Sequence, residues 1–356
     1  MSSLGWLGRP QSVITILALV VLSTIAYHIH QVPHQNFISS LRIYQKPQPY
    51  FRDDPKISTM SNEEKKTNLL NLASKLSATE FPKHIYQTWK TIALGSNAAY
   101  NHQSSWFKKN PSHEYTLLTD KTAQQYVTEN FATTDPYIVK LYNQVTQRIL
   151  AADLLRYLIA FKSGGLYTDI DTECNVSIDD WMGKSISHMS KAGIKASDIN
   201  VIVGMELDVL NKTRYPDNWI ESAGFSQRIQ FLQWSVYAKP GHEILRRMVT
   251  SVQEAMREDV EKTAAKRIAD LRYTNVQILD KTGPFRWTRV IMEYVDQIEG
   301  RKVELEEYSG LHEAKKFGDV LFLPVNRWSP GVPHSDAGGR ETSFLVHHFG
   351  GSWKGN

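Results

Sequence analysis

One segment, residues 148–171, constrains the fold of this chain more than any other. It reads RILAADLLRYLIAFKSGGLYTDID, with apolar residues first at helical spacing and then in a short extended run. Gly164-Gly165 predicts the end of the helix, because glycine readily adopts the left-handed backbone that closes helices. A strand over Leu166–Cys174 is expected directly after it. A helix that passes straight into a strand is typical of a layered α/β protein.

The rest of the chain alternates strands and helices in the same way, which predicts a largely parallel sheet flanked by helices. The further predicted strands are His84–Trp89, Glu114–Leu118, Val201–Met205, Gln233–Ala238, Asp319–Leu323 and Ser343–Phe349. The predicted helices are Gln103–Lys109, Lys121–Asn130, one long helix over Asp135–Phe161, His242–Glu258 and Arg286–Gln297. His242 is expected to be a turn or cap residue at the start of its helix.

The composition excludes several classes of protein. Of the 356 residues 41% are hydrophobic and 22% are charged, close to the globular average, so the chain is neither collagen-like nor wholly disordered. A net charge of +4 is too small for this length to indicate a nucleic-acid-binding protein. The single cysteine, Cys174, excludes an intrachain disulfide and CxxC metal sites, and it is expected to be a small buried filler.

An uncharged apolar run, Val13–Tyr27, stands near the amino terminus. It predicts a membrane-spanning signal anchor, although its length is at the short end of what a spanning helix needs. A cleaved signal peptide and a buried core helix are the alternatives. With an anchor, the chain divides into a cytoplasmic tail (1–11), the anchor itself (12–29), a stem (30–80) and a lumenal domain (81–356). Two sequons fit a lumenal domain and make Asn175 and Asn211 candidate glycosylation sites.

Two carboxylates end the informative segment, in Asp169-Ile170-Asp171. Residues two apart in an extended segment point to the same side, so both carboxylates can converge on one point. Held together they repel each other unless a cation lies between them, and Mg²⁺ or Mn²⁺ would bridge them to phosphate oxygens. A D-x-D tripeptide is expected about once by chance in a chain of this length. The motif therefore gains its weight from the preceding helix and the Gly-Gly turn.

Three polar residues precede this motif on one face of the predicted helix, because Asp153, Arg156 and Tyr157 lie at positions i, i+3 and i+4. Taken alone they are more often an ion pair beside a packed tyrosine than a ligand site. Their distance from the two carboxylates decides between these interpretations, and the sequence does not give that distance.

Four blocks of the sequence resemble one known family. The blocks are KHIYQTWK (83–90), AADLLRYLIAFKSGGLYTDID (151–171), RIQFLQWSVYAKPGHEIL (228–245) and SPGVPH…FLVHHFGGSWK (329–354). Together they resemble the fungal initiation-specific α-1,6-mannosyltransferases, which belong to a larger glycosyltransferase family with DXD motifs. The resemblance covers roughly residues 81–356. It implies a GT-A fold, with a Rossmann-like mixed and mainly parallel sheet flanked by helices.

The resemblance also implies a reaction and a location. The expected reaction transfers mannose from GDP-mannose to an N-glycan core or mannan in α-1,6 linkage, with retention of configuration and with Mn²⁺ or Mg²⁺. The expected location is the Golgi membrane, with type II single-pass topology and membership of a mannosyltransferase complex. The rivals are a mannosyltransferase that acts on inositol-phosphoceramide, a non-catalytic subunit of a Golgi mannosyltransferase complex, and a lumenal lectin.

Matching positions carry implied roles. Asp171 would bind the metal directly, while Asp169 would hold the donor ribose and the outer shell of the metal. Either His347 or His348 would be a third metal ligand, with His347 favoured; because successive strand residues face opposite ways, at most one of them can easily point at the metal. Glu206 and Asp208 are expected on the acceptor side, from their position after a strand.

The donor side is expected to involve a longer set of residues. Arg156 would act in catalysis together with Asp169 and Asp171. Trp89 would stack on the nucleobase, with a core aromatic as the alternative. A closing loop near the carboxyl end would cover the pyrophosphate. The full donor-binding set is Gln87, Thr88, Trp89, Asp153, Arg156, Tyr157, Asp169, Ser352 and Trp353.

Overall fold

The computed structural model of the chain describes residues 80–189, 192–225 and 227–350. The predicted tail, the anchor and the stem up to residue 79 lie outside these residues, and so do Ser352 and Trp353. Within the described ranges, no helix combines the length and the apolar character that crossing a bilayer requires.

The described residues are organised around one eight-stranded sheet, in the order β2-β1-β3-β7-β5-β9-β8 with β6 paired to β5. Its strands are β1 (His84–Trp89), β2 (Glu114–Thr119), β3 (Gly165–Thr168), β5 (Val201–Asp208), β6 (Ile229–Phe231), β7 (Ser235–Ala238), β8 (Lys315–Phe317) and β9 (Val320–Leu323). Strands β1, β2, β3, β5 and β9 run in one direction and the other three run against them. A separate antiparallel ribbon pairs β4 (Thr172–Cys174) with β10 (Leu345–His347).

Helices cover the sheet and its connections. They are α1 (Asn97–Lys109), α2 (Asp120–Phe131), α3 (Pro136–Gln144), α4 (Arg148–Lys162), α5 (Ile178–Ile186), α6 (Asp217–Ser222), α7 (Glu243–Lys262), α8 (Asn275–Lys281), α9 (Pro284–Glu299) and α10 (Val325–Trp328). Helix α4 is the central one, because it is almost wholly buried and packs against β3, β7 and α7. The predicted α/β layering is therefore confirmed, with a mixed sheet in which most strands are parallel.

The single long helix predicted over Asp135–Phe161 is wrong, because the chain leaves the helical conformation between α3 and α4. Val145 is extended there, with φ −63° and ψ 122°. The side chain of Gln147 pairs with the backbone of Tyr273, donating to its carbonyl (2.9 Å) and accepting from its N–H (2.8 Å). A contact over 126 residues thus stabilises a break that the local periodicity does not show.

The continuous strand predicted over Leu166–Cys174 is also wrong, since a turn separates β3 from β4. Strand β3 pairs with β1 and β7, whereas β4 leaves the sheet to pair with β10. Strands β6 and β8 were not predicted, because three residues are too few for a clear alternation.

The glycine pair between α4 and β3 behaves as predicted. Gly164 and Gly165 both have left-handed backbones, with φ of 65° and 78°. A Cβ on Gly165 would lie 2.5 Å from the carbonyl oxygen of His84, in the neighbouring strand. The pair therefore ends the helix and lets β3 approach β1 closely enough to join the sheet.

Candidate active site

Asp169 and Asp171 lie in a tight turn at the carboxyl end of β3. Thr172 closes this turn, because its backbone N–H (3.2 Å) and its hydroxyl (2.6 Å) both donate to the carbonyl of Asp169. The side-chain amide of Gln87, in β1, donates to the same carbonyl at 2.9 Å. The backbone of the DXD motif is thus fixed by buried groups of β1 and β4, although it is not extended as the sequence predicted.

The ribbon of β4 and β10 brings a histidine to this turn from the far end of the chain. Nε2 of His347 lies 3.1 Å from Oδ1 of Asp171, and the backbone N–H of Gly350 donates to Oδ2 of Asp171 at 2.8 Å. Side-chain ligand atoms of Asp169, Asp171 and His347 lie within 4.8 Å of one another. His348 pairs instead with Glu173, at 3.1 Å. The structure therefore brings the favoured histidine, His347, to the two carboxylates.

Arg156 connects the DXD turn to helix α4. Its guanidinium lies 3.1 Å from Oδ1 of Asp153 and 3.3 Å from Oδ1 of Asp169. Its side chain is only 4% exposed, so the pair with Asp153 is shielded from water, whereas Asp169 keeps 25% of its side chain exposed. Among the described residues its Nε has no hydrogen-bond partner. The predicted helix-face ion pair is thus extended into a buried bridge between α4 and the DXD motif.

The carboxylates of this site titrate differently. Burial alone would raise the pKa of Asp171, but the hydrogen bonds from His347 and Gly350 outweigh it and lower this pKa to about 2. Burial raises the pKa of Asp169, against the opposing charge of Arg156. Burial also raises the pKa of Asp153, to about 6. Asp171 is therefore the carboxylate that stays charged over the widest pH range, as a cation ligand must.

Two of the residues predicted to bind the donor form the wall behind the site. Asp153 is 1% exposed, and its oxygens accept from Thr282 (2.7 Å) and Gln233 (3.3 Å) as well as pairing with Arg156. Tyr157 is fully buried, and its hydroxyl donates to the Gln233 side chain and the Thr282 carbonyl. The structure places both behind Arg156 rather than on the surface of the site, because protein groups already use their polar atoms.

Strand β1 contributes the remaining described residues of the predicted donor set. Gln87 is fully buried and accepts from the hydroxyl of Tyr115 (2.7 Å) while it supports Asp169. Thr88 lies 3.2 Å from the hydroxyl of Tyr167, which donates to Asp169 at 2.9 Å. Trp89 ends the strand and is partly exposed. Of these three, Trp89 has the accessible aromatic surface that a flat ligand could use.

A tryptophan that sequence reasoning missed packs on His347. The rings of Trp234 and His347 have centroids 4.4 Å apart. The indole N–H of Trp234 donates to Oε1 of Glu206 at 3.3 Å, and Gln230 donates to Oε2 at 2.7 Å. Trp234 lies in the block 228–245, so its membership of that block was the available signal. Glu206 thus contacts the site through Trp234.

Asp208 lies two residues further along β5, and its expected place on the acceptor side stays a prediction. Its carboxylate accepts from the hydroxyl of Ser309 and from the backbone N–H of Gly310, both at 2.6 Å. It therefore holds the loop at Ser309 and Gly310 in place, on the border of a cavity of about 310 Å³ that Asn211 also lines.

The two sequons differ in accessibility. Asn211 is exposed. Asn175 is partly buried, and its side-chain N–H donates to the hydroxyl of Ser343 at 2.7 Å. Cys174, which directly precedes Asn175, is buried as predicted.

Known proteins are similar to the part of the chain that holds this site. The family described as "Glycosyltransferase sugar-binding region containing DXD motif" matches residues 96–187, which include α4 and the DXD turn. This stretch of the chain contains the DXD motif of a glycosyltransferase sugar-binding region. The chain is 28% identical over 294 residues to the initiation-specific alpha-1,6-mannosyltransferase of Candida albicans. The aligned region covers 77% of this chain and 72% of that protein. The protein of that name from Schizosaccharomyces pombe is 30% identical over 278 residues, 77% of this chain and 64% of its own length.

The resemblance drawn from the sequence is thereby confirmed across most of the chain. Relatives of another kind match a much shorter stretch of the chain. The inositol phosphoceramide mannosyltransferase 3 of Schizosaccharomyces pombe is 36% identical, but over 98 residues, 28% of this chain and 26% of that protein.

Proposed function

We propose that this chain is a retaining α-1,6-mannosyltransferase with a GT-A fold, which uses GDP-mannose as donor and an N-glycan core or mannan as acceptor. The observation that carries the proposal is the convergence of Asp169, Asp171 and His347 beside the buried Asp153–Arg156 pair. Two relatives named as α-1,6-mannosyltransferases each match 77% of the chain, which supports the assignment of the sugar and the linkage.

The side chains of this cluster fit a divalent cation. Two carboxylates and one imidazole form a mainly oxygen donor set, which suits Mn²⁺ and, with the imidazole less favoured, Mg²⁺. Asp171 is held charged by the hydrogen bonds that lower its pKa. Asp169, Asp171 and His347 would hold the ion. When bound, such an ion supplies positive charge that offsets the negative charge on a departing diphosphate.

The residues around the cluster fix it in place. Arg156 joins Asp169 to α4, and the buried Asp153 holds Arg156 in turn. The Gln87 amide holds the carbonyl of Asp169. We assign these three groups the role of positioning the DXD carboxylates and Trp89 the role of stacking on the nucleobase. Such preorganisation matters because small displacements at a reacting centre are costly.

The reaction itself needs no protein base in this proposal. An acceptor hydroxyl oxygen forms a bond to the anomeric carbon on the face from which the diphosphate leaves. The bond between that carbon and the β-phosphate oxygen breaks, and the hydroxyl proton passes to that oxygen. Configuration is retained because the bond forms on the face where the other bond breaks. Glu206 has a positioning role here, since it orients Trp234 against His347.

The location belongs to the same proposal. An anchor at residues 12–29 would place the catalytic domain in the Golgi lumen with type II topology, where a mannosyltransferase complex could form. Protease protection of a carboxyl-terminal tag in sealed Golgi vesicles tests the topology. A tag digested without detergent would contradict it.

A donor and linkage assay tests the function. The full-length chain is incubated with GDP-mannose, GDP-glucose, UDP-glucose or UDP-galactose, with Mn²⁺ or with a chelator, and with an N-glycan acceptor. The expected product is one added mannose that only an α-1,6-specific mannosidase removes. Product from a UDP-sugar, or another linkage, would refute the assignment. Product formed on inositol-phosphoceramide but not on the glycan would favour the lipid-directed rival, which is less favoured because its relatives match 28% of the chain.

A further inference from the structure

A second cluster of metal-ligating side chains lies beside the DXD site. His102 in α1, Glu173 in β4 and His348 just after β10 place a ligand atom each within 4.8 Å of the other two. These residues are separate from Asp169, Asp171 and His347, and the proposed reaction uses none of them. The cluster joins three elements that are far apart in the sequence.

The backbone explains why Glu173 and His348 meet. The N–H of His348 donates to the carbonyl of Asp171 at 2.9 Å, which extends the β4–β10 ribbon by one residue. Val346 lies directly opposite Glu173, and His348 follows Val346 by two positions, so His348 and Glu173 share a face of the ribbon. His348 and Glu173 are therefore diagonal neighbours, with Nε2 and Oε2 at 3.1 Å.

The third ligand comes from the helix that packs on this ribbon. Helix α1 contacts β4, and the ring of His102 stacks on the ring of His348 with centroids 3.8 Å apart and planes within 4°. Ligand atoms around a tetrahedral cation with bonds of about 2.0–2.1 Å lie about 3.3 Å apart. An imidazole binds a metal in the plane of its ring, so the two stacked rings must turn out of their parallel arrangement before both nitrogens face one ion. The side chains of His348 and Glu173 are 25% and 39% exposed, which leaves room for that rotation.

We propose that His102, Glu173 and His348 form a second divalent-cation site, which binds Zn²⁺-like ions. Two imidazoles and one carboxylate are a set of protein ligands that zinc accepts, with one position left for water. Nitrogen-rich sites bind Zn²⁺ more strongly than Mn²⁺, whereas the two carboxylates of the DXD cluster favour the harder ion. The bound ion would join α1 to the last strand, one residue from His347, and so brace the carboxyl-terminal ligand of the DXD site.

Calorimetry with Zn²⁺ on the chelator-treated full-length chain tests this site. The titration is done in an Asp171→Asn background, which removes a carboxylate from the DXD cluster. We expect one equivalent of Zn²⁺ to bind in the presence of excess Mg²⁺, and His102→Ala to weaken its affinity by more than about tenfold. A His188→Ala variant is the matched control, because His188 also pairs with a glutamate, Glu313, at 3.4 Å. Its Zn²⁺ affinity should not change.

Two results would overturn the proposal. One is that the Asp171→Asn chain binds no equivalent of Zn²⁺, and the other is that His102→Ala leaves the Zn²⁺ affinity unchanged. Glu173→Gln preserves the shape of the side chain and provides a second test if His102→Ala does not fold. It should weaken Zn²⁺ binding and reduce the rise in unfolding temperature that the ion produces. An unchanged rise would also overturn the site. Because Zn²⁺ binding is measured without donor or acceptor, this result is independent of the proposed transferase activity.

Discussion

Nε2 of His347 lies 3.1 Å from Oδ1 of Asp171, although the two residues are 176 positions apart in the sequence. The contact exists because β10 pairs with β4, which follows the DXD turn directly. The imidazole and the N–H of Gly350 keep the pKa of Asp171 near 2. The last strand of the described chain thus completes a site that begins in the first strands of the sheet.

Replacing Asp171 by Asn removes a charged cation ligand and leaves the size of the side chain unchanged. We expect kcat/KM for mannosyl transfer to fall at least about 100-fold, which corresponds to a loss of about 2.7 kcal/mol of transition-state stabilisation. Asp217→Asn is the control, because its carboxylate is 85% exposed and pairs with Arg228 rather than with a residue of the DXD cluster. The activity of both variants is measured as the release of GDP from GDP-mannose in the presence of Mn²⁺. Equal rates in the two variants would remove Asp171 from the mechanism.

Arg156→Met should destabilise the fold as well as the site. It leaves Asp153 and Asp169 without their buried cation, and breaking a buried pair costs about 3–5 kcal/mol. Denaturant unfolding measures the loss. Arg214→Met removes an exposed ion pair to Asp336 and should leave the free energy of unfolding almost unchanged, because water screens such pairs. If both substitutions cost the same, the buried bridge has no special structural importance.

Gly165→Ala should destabilise the protein by at least about 2 kcal/mol, because the new Cβ combines a left-handed backbone with a backbone clash. The φ of Gly165 is 78°, and its Cβ would meet the His84 carbonyl at 2.5 Å. Gly183→Ala in α5 meets no atom within 4 Å and should stabilise the helix by up to about 1 kcal/mol. Thermal unfolding of both variants measures these changes in stability. An unchanged unfolding temperature in Gly165→Ala would contradict the close approach of β3 to β1.

The acid sensitivity of the fold should depend on Asp319. This carboxylate accepts hydrogen bonds from His242 (3.0 Å), Asn200 (2.7 Å) and Tyr294 (2.8 Å). Burial alone would raise its pKa, but these partners lower it to about 2, from an ordinary value of 3.8. Because the folded pKa lies below the unfolded one, the stabilisation is present above about pH 4 and is lost as the pH falls through 2.

Asp319→Asn should therefore reduce the free energy of unfolding by about 2 kcal/mol at pH 7. The deficit should shrink between pH 4 and pH 2, where the wild-type carboxylate becomes protonated. Urea unfolding at a series of pH values measures it. Asp180→Asn changes an exposed carboxylate and should stay within about 0.5 kcal/mol of the wild type. A deficit that does not vary with pH would show that the loss is steric rather than electrostatic.

Glycosylation should distinguish the two sequons. Asn211 is exposed, whereas the side-chain N–H of Asn175 is engaged with Ser343. When the chain is secreted from cells that attach N-glycans, Asn211→Gln should remove one glycan. Asn175→Gln should leave the mass of the glycans unchanged. Mass spectrometry of the tryptic peptides gives the occupancy. An occupied Asn175 would show that modification precedes the docking of Asn175 against Ser343.

The sequence by itself predicted the layered α/β class, the Gly-Gly helix end, the buried Cys174 and the cap at His242, whose ring accepts from the N–H of Ile244 (3.2 Å). These features depend on local rules, namely spacing, the freedom of glycine and capping. The block resemblance also selected Asp169, Asp171 and His347, which the structure then places together.

Only the tertiary structure decided how the motif is presented. The predicted long helix is broken between α3 and α4, where Gln147 binds the backbone of Tyr273. The DXD residues form a turn because Thr172 and Gln87 both donate hydrogen bonds to the carbonyl of Asp169. Asp153 and Tyr157 have the spacing of a ligand-binding face, but they support Arg156 from behind. Hydrogen bonds between distant residues outweigh local periodicity at these points, since a buried polar group must find a partner wherever the fold provides one.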